Sequence, residues 1–337
     1  MKIGVLGTGT WGIALARMLA NDNYEVTAWS AIESEIDELS TKRIHKNLPG
    51  MVVPDSIVFT KDISEVCKDK EILLFAVPSV FVRSTTEKAR DFIPDGQIIV
   101  DVAKGIEADT LFTMSQVIGD VLSDGKHDNV KIVALSGPTH AEEVARDMPT
   151  TIVSACRDES AARKVQDIFM NTCMRVYTND DVLGIELCGA LKNIIALASG
   201  ISTGLGNGDN AKAAIITRGM VEMTRLGLAM GAKQETFSGL AGVGDLIVTA
   251  TSMHSRNNRC GMLIGQGVKP SEAVKQVGMV VEGVNALPAA MRLIEKYQVE
   301  MPITAMVNAV VKEEVDPATA VAALMGRDKK NEMNFRE

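Results

Sequence analysis

Aromatic side chains make up 4% of this 337-residue chain, so any core must be assembled chiefly from aliphatic residues. Cysteine is sparse as well. Cys67, Cys156, Cys173, Cys188 and Cys260 show no C-x-x-C and no Cys/His spacing, so no zinc site is suggested. Their odd number and scatter argue against a disulfide framework, and they read as reduced, mostly buried thiols. Basic charge is not in surplus: 35 Lys and Arg against 43 Asp and Glu leave a net charge of -8, which excludes a surface built for nucleic acid. Any anionic ligand must therefore be held by local groups. The opening MKIGVLG is consumed by a strand rather than leading into a signal peptide, and no later window reads as an uninterrupted membrane span, so a cytoplasmic protein is expected. Internal repeats and low-complexity segments are lacking too.

What is present is a globular composition, 46% hydrophobic and 23% charged, at a length that suits two domains. Up to about Thr178, short β-branched runs alternate with helical stretches, the pattern of a parallel sheet flanked by helices. The strand candidates are Ile3 to Leu6, Glu25 to Trp29, Ile72 to Val77, Ile98 to Val102, Ile132 to Leu135 and Thr151 to Ser154. Several are apolar throughout, as expected of strands covered on both faces. From about Asp180 runs rich in Ala, Leu, Met and Ile predict a helical half, ending in a helix opened by Asp316 and Pro317. The expected domains are 1–180, 181–326 and a polar, frayed tail at 327–337.

The sharpest local signal is a strand running through Gly7, Gly9 and Gly12 (G-x-G-x-x-G) into the helical run IALARMLAN. In a dinucleotide site the first glycine allows the tight turn, the second lets the backbone approach a pyrophosphate, and the third lets helix pack on strand. The helix N-terminus adds free N–H groups and partial positive charge. A purely structural glycine turn is the bland alternative, outweighed by the complete strand-loop-helix context. The second strand ends in Trp29, Ser30 and Ala31, with Glu33 a few residues late for a ribose acceptor and no Arg placed for a 2′-phosphate, so NAD versus NADP stays open.

In the second half, Lys192 is the lone cation on a run apolar nearly all round, from Val182 to Ser199. Burial would depress its pKa toward the range useful for proton exchange, whereas snorkelling would make it ordinary; on the helix alone the two readings are even. Asp245 is a single carboxylate in a glycine-rich apolar setting, with helix capping as its alternative role. His254, Ser255, Arg256, Asn257, Asn258 and Arg259 offer a guanidinium fork, donors and a helix start suited to phosphate, against the simpler reading of a solvated polar turn, which the segment alone favours. Lys104 follows a buried strand, where open α/β sheets bind ligands. Thr139 and Glu142 have capping-box spacing, and His140 reads as a surface residue in a first turn.

Taken in order, GTGTWG (7–12), VPS (77–79), AKGIE (103–107), SGPTHAEEVA (136–145), GALKNIIA (189–196), GDNAKAAIITRG (208–219), GLAGVGDLIVT (239–249), SRNNRCG (255–261), VVEGV (280–284) and EMPIT (300–304) resemble the bacterial NAD(P)-dependent glycerol-3-phosphate dehydrogenases. The resemblance spans nearly the whole chain. It implies an α/β Rossmann domain with a mostly parallel doubly wound sheet, followed by an all-α domain similar to that of 6-phosphogluconate dehydrogenase. It implies reversible hydride transfer between sn-glycerol 3-phosphate and dihydroxyacetone phosphate, supplying the glycerol backbone of phospholipids, with NAD or NADP as cofactor and no metal.

On the same footing, Lys192, Lys104 and Asp245 are expected to be catalytic. Lys104, Gly137, Thr139, Lys192, Asn193, Asp245, Thr249, Ser255, Arg256 and Asn257 are expected to line the substrate site. Gly7, Gly9, Thr10, Trp11, Gly12, Lys104, Ala141, Arg256, Val280 and Glu282 are expected at the cofactor. The chain departs from the pattern at Ala31, where relatives often carry a basic residue near the adenosine phosphate. The expected partner is the small-molecule substrate, with a homodimer left open. Two rivals stand beside this reading: another Rossmann-plus-helical dehydrogenase acting on a 3-hydroxyacid or 6-phosphogluconate, and a non-catalytic dinucleotide sensor. SRNN and GDNAKAAIITRG weigh against the first, and a proton-transfer lysine weighs against the second.

Overall fold

The computed structural model describes residues 1–329, 331 and 332. They fall into two units: 1–103 with 114–182, and 104–113 with the chain from Leu183 onward.

The first unit is built on eight strands: β1 (Lys2–Leu6), β2 (Glu25–Trp29), β3 (Val58–Thr60), β4 (Ile72–Phe75), β5 (Ile98–Asp101), β6 (Lys131–Ser136), β7 (Thr150–Ala155) and β8 (Met174–Asn179). They form one sheet in the order β3-β2-β1-β4-β5-β6-β7-β8. Every neighbouring pair is parallel except β6 with β7. β4, with the sequence ILLF, is buried at every position, which is why it reads as a continuous apolar run. Ile13, Leu15 and Leu19 of the helix Thr10–Asn21 join Val165, Ile168 and Phe169 of the helix Glu159–Met170 in one cluster with Ile3, Val5, Leu74 and Val133. Burial of such aliphatic side chains contributes roughly 1.5–3 kcal/mol each.

Both edge strands escape the sequence reading. β3 is three residues long and exposes Val58, while β8 alternates buried Met174 and Val176 with exposed Arg175 and Tyr177, too polar a run to stand out. The capping box at Thr139 does not form: the short helix Ala141–Val144 starts one residue later, with His140 at its N-cap and no side-chain cap. His140 itself is half-buried rather than a surface residue. The five cysteines are free, four of them buried, and burial pushes the Cys67 thiol up to about 12.

The second unit is helical. The helix Val182–Gly204 is, contrary to the reading above, long and apolar enough by composition to cross a membrane, with mean hydropathy 1.6 over its best window. Burial identifies its role, for 89% of that window lies inside the protein, as in a core helix. It packs closely on the helix Arg256–Gly265 through glycines one turn apart on each. A Cβ on Gly200 would stand 2.1 Å from the Asn258 carbonyl, and one on Gly261 would stand 2.2 Å from the Leu197 carbonyl. Gly204 and Gly265 repeat the arrangement a turn further on. Asp316 caps the helix Pro317–Met325 through the Thr319 N–H at 3.0 Å, as its sequence predicts.

The segment 104–113 departs from the expected boundary, since it belongs with the helices although the sequence places it among the strands. Three polar ties explain this. Lys104 reaches Asp245 at 2.7 Å, Thr113 donates to Glu186 at 2.7 Å, and Arg292 donates to the Asp109 carbonyl at 3.2 Å. Of the expected tail 327–337, residues 330 and 333–337 lie outside the described residues. Within it, Arg327 pairs with Glu300 at 3.1 Å and the Glu332 carbonyl accepts from Arg218 at 2.8 Å.

Candidate active site

The helix Val182–Gly204 carries Lys192 near its middle, on a helix whose other side chains are mostly apolar. The amine does not snorkel. Lys192 is 5% exposed, and its Nζ donates to Asp245 Oδ1 and, at 2.8 Å, to Thr249 Oγ1. Asp245 is the first residue of the helix Asp245–Thr251, but it does not serve as that helix's cap, because Gly244 holds the N-cap position. Its carboxylate is instead divided between two amines, with Oδ2 accepting from Lys104 Nζ at 2.7 Å. Thr249 sits one turn along the same helix, which brings its hydroxyl to the shared amine.

Burial drives the electrostatics of this group. It pushes the Lys192 ammonium down to about 7, opposed by the Asp245 carboxylate and reinforced by Lys104. Asp245 is fully enclosed, and burial alone would raise its carboxyl. Lys104 and Lys192 more than offset this, holding it below the usual carboxylate range. An amine that gains or loses its proton near neutrality, held by a carboxylate that stays charged, can act as a general acid or base.

The SRNN segment is not a solvated turn. Ser255 is the N-cap of the helix Arg256–Gly265, accepting from the Asn258 N–H at 3.2 Å, and Ser255, Asn257 and Asn258 are all buried. Asn257 links three elements: its Nδ2 donates to Asn193 Oδ1 at 2.9 Å and its Oδ1 accepts from the Gly283 N–H at 2.8 Å. Asn193 in turn donates to the Gly189 carbonyl at 3.1 Å. Arg256 Nη1 donates to the Val280 carbonyl at 3.1 Å, and Glu282 opens the helix Glu282–Tyr297. His254 is exposed. A guanidinium and buried amides at the start of a ten-residue helix form a setting in which an anion is stabilised.

In the sheet unit, Gly7 follows β1 with φ of 109° and Gly12 lies against the loop, where an added Cβ would meet the Gly7 carbonyl at 2.1 Å. These two positions demand glycine. At Gly9 an added Cβ would meet nothing within 4 Å, so the backbone there faces open space at the start of the helix Thr10–Asn21. This geometry fits a dinucleotide pyrophosphate. Thr10 accepts from Asn47 Nδ2 at 3.4 Å and Trp11 is half-buried. Gly137, Thr139 and Ala141 follow β6, also in this unit, with Thr139 Oγ1 donating to the Gly137 carbonyl at 3.1 Å.

The structure gathers Lys104, Lys192, Asp245 and Thr249 into one cluster, and Asn193, Asn257 and Gly283 into another. Among the buried carboxylates that were not anticipated, one does clear structural work. Glu222 accepts from the N–H groups of Ile303 at 2.6 Å and Thr304 at 3.1 Å and from the Thr304 hydroxyl at 3.0 Å, capping the helix Pro302–Val311 from a neighbouring helix. A signal existed in EMPIT, where Met301 offers no acceptor to the first-turn N–H groups that follow Pro302.

Comparison with known proteins gives the same picture along the whole chain. The sequence profile of the NAD-dependent glycerol-3-phosphate dehydrogenase N-terminus matches residues 2–162, and that of the C-terminus of the same family matches 181–322. A glycerol-3-phosphate dehydrogenase (NAD(P)+) of Lactobacillus delbrueckii subsp. bulgaricus is 67% identical over 98% of this chain and 99% of its own. One of Agathobacter rectalis is 52% identical over 100% and 99%. The crystal structure of glycerol-3-phosphate dehydrogenase from Coxiella burnetii superposes with a TM-score of 0.92 at 35% identity, covering 97% of this chain and 99% of that one. With both halves matched in order and the glycine loop and lysine cluster in place, the chain belongs to the NAD-dependent glycerol-3-phosphate dehydrogenase family.

Proposed function

We propose that this protein interconverts sn-glycerol 3-phosphate and dihydroxyacetone phosphate, with Lys192 as the acid and base at the C2 oxygen. The observation that carries the reading is the enclosed Lys192 amine, brought to a pKa of about 7 and gripped by Asp245 and Thr249. The dinucleotide, when bound, supplies or accepts the hydride at C2. As C2 gains a hydride, its oxygen takes the carbonyl π electrons and becomes an alkoxide. The Lys192 ammonium donates a proton to that oxygen and is left as the neutral amine. In the oxidative direction the neutral amine takes the hydroxyl proton as C2 gives up its hydride.

Lys104 and Asp245 set the charge state of Lys192. Thr249 lies beside it to orient the three-carbon chain, and Asn193 acts from the neighbouring cluster with Asn257. Ser255, Arg256 and Asn257, with the helix they begin, hold the substrate phosphate, and binding at that remote end lowers the barrier only by aligning C2. Gly7, Gly9, Thr10, Trp11 and Gly12 would hold the pyrophosphate end of the cofactor. In this reading the protein works in the cytoplasm, supplying glycerol 3-phosphate for phospholipids, with the sheet unit as the dinucleotide domain and the helical unit, 104–113 included, as the catalytic one.

A spectrophotometric assay of NADH or NADPH oxidation with dihydroxyacetone phosphate tests this. Turnover is expected with at least one cofactor, and none with either would overturn the reading. Faster turnover of a 3-hydroxyacid would transfer the chain to the rival chemistry.

A further inference from the structure

Glu35, on the helix Glu33–Lys42, reaches back toward the glycine loop. Its Oε2 accepts from Ser30 Oγ at 2.9 Å and from Thr8 Oγ1 at 3.3 Å. Thr8 lies between Gly7 and Gly9, and Ser30 directly follows β2. The two segments are side by side, since Leu6 pairs with Trp29 in the sheet and the Gly7 N–H continues the ladder to the Trp29 carbonyl at 2.8 Å. Ser30 Oγ also accepts from the Ile32 N–H at 3.1 Å, which fixes the turn that delivers the helix.

In sheets of this kind the adenosine ribose is held at the end of the second strand, where a carboxylate about 20 residues beyond the loop accepts from its 2′-hydroxyl. Here that strand ends at Trp29 and is followed by Ser30 and Ala31, neither of them acidic. The carboxylate arrives instead from the next helix, anchored by two hydroxyls. The basic groups around it are largely committed elsewhere. Lys61 is engaged by Asp37 and Glu33, Lys42 by Glu38, and Arg43 by the carbonyls of Pro54 and Ile57 and by Asp55. His45, half-buried beside Glu35, is biased toward its neutral form by burial, which leaves Lys46 as an exposed cation on that rim.

We propose that Glu35 selects NAD(H) over NADP(H): its carboxylate accepts from the ribose 2′-hydroxyl and repels a 2′-phosphate. The assignment rests on the dinucleotide-dependent reading above and adds the discriminating residue. It is tested by titrating the purified full-length protein with NADH and with NADPH, without substrate, following nicotinamide fluorescence. NADH is expected to bind about tenfold more tightly or better, because placing like charges together in a binding site is costly. Glu35→Gln keeps the size and removes the charge, and it should shift the affinity ratio toward NADPH by about fivefold or more, chiefly by strengthening NADPH. Glu35→Asp keeps the charge and should keep the NADH preference. If Glu35→Gln fails to fold, Glu35→Ala, which also removes the charge, should move the ratio the same way. Equal or tighter binding of NADPH by the unaltered protein, or a ratio unmoved by Glu35→Gln, overturns the proposal. A protein that prefers NADH, loses that preference in Glu35→Gln and yet turns over no dihydroxyacetone phosphate upholds Glu35 and refutes the substrate assignment, whereas failure to bind either dinucleotide refutes both.

Discussion

Lys192 and Asp245, 53 positions apart in sequence, meet as a buried ion pair in which the carboxylate keeps its second oxygen for Lys104. The amine is thus enclosed but not isolated. Removing it leaves Asp245 still neutralised by Lys104, so the fold should tolerate the change better than the loss of a lone counter-ion. Lys192→Ala is expected to retain NADH binding and to lose about a hundredfold or more in kcat, the usual cost of a missing general acid. Steady-state rates beside a fluorescence titration check this, and near-normal turnover would remove Lys192 from the mechanism.

The same pair sets the pH response. Reduction of dihydroxyacetone phosphate needs the ammonium, so its kcat should fall as pH rises through about 7, while oxidation needs the neutral amine and should fall as pH drops through about 7. Asp245 favours the charged form of Lys192, so Asp245→Asn should move the reductive limb to lower pH in addition to slowing the reaction. A limb that stays in place would detach the carboxylate from this task.

Arg256 and the start of its helix are assigned to the phosphate. Arg256→Ala is expected to raise KM for dihydroxyacetone phosphate by about tenfold or more, with a smaller effect on kcat. Arg256→Lys should recover little, because a point charge does not reproduce the guanidinium fork. An unchanged KM in the alanine variant would refute the role.

Gly261 lies where the Lys192 helix and the Arg256 helix press together, with the Leu197 carbonyl 2.2 Å from any added Cβ. Gly261→Ala should therefore force the helices apart and cost about 1–3 kcal/mol of stability. KM should rise because Arg256 rides on the displaced helix. Denaturant unfolding with kinetics on the same preparation tests both halves, and a variant of full stability would mean the crossing is looser than described.

Burial raises the Glu222 carboxyl from 4.5 to about 7, opposed by its hydrogen bonds from Ile303 and Thr304. Between those values the folded chain holds more protons than the unfolded one. The stabilisation from this group is therefore complete below about pH 4.5 and declines as pH rises through about 7. Glu222→Gln should flatten that part of the stability profile, read from unfolding midpoints across the range. A profile of unchanged slope would mean that other groups control it.

Much of this was legible in the chain because the physics is local. β1 and β4 betray themselves as apolar runs, and the glycine loop is contiguous. Lys192 and Asp245 stand out singly as lone charges in oily surroundings. Their union was not legible from spacing, since it depends on how distant helices pack. The Ser255 cap was hidden for a related reason: a polar run looks solvated until the helix it begins is seen to be buried. Glu35 was overlooked because an acid is sought at the strand's end, whereas this one lies five residues past Ser30 and is brought back to it by the turn.

The ten residues from Lys104 to Thr113 travel with the helices even though they are encoded between two strands. Anyone building a chimera by joining the chain from Leu183 onward to a foreign nucleotide module would transplant Lys192 and Asp245 but leave Lys104 behind. The graft would then carry a carboxylate with one oxygen unclaimed, and a transplant meant to work must thread that decapeptide back through the donor sheet.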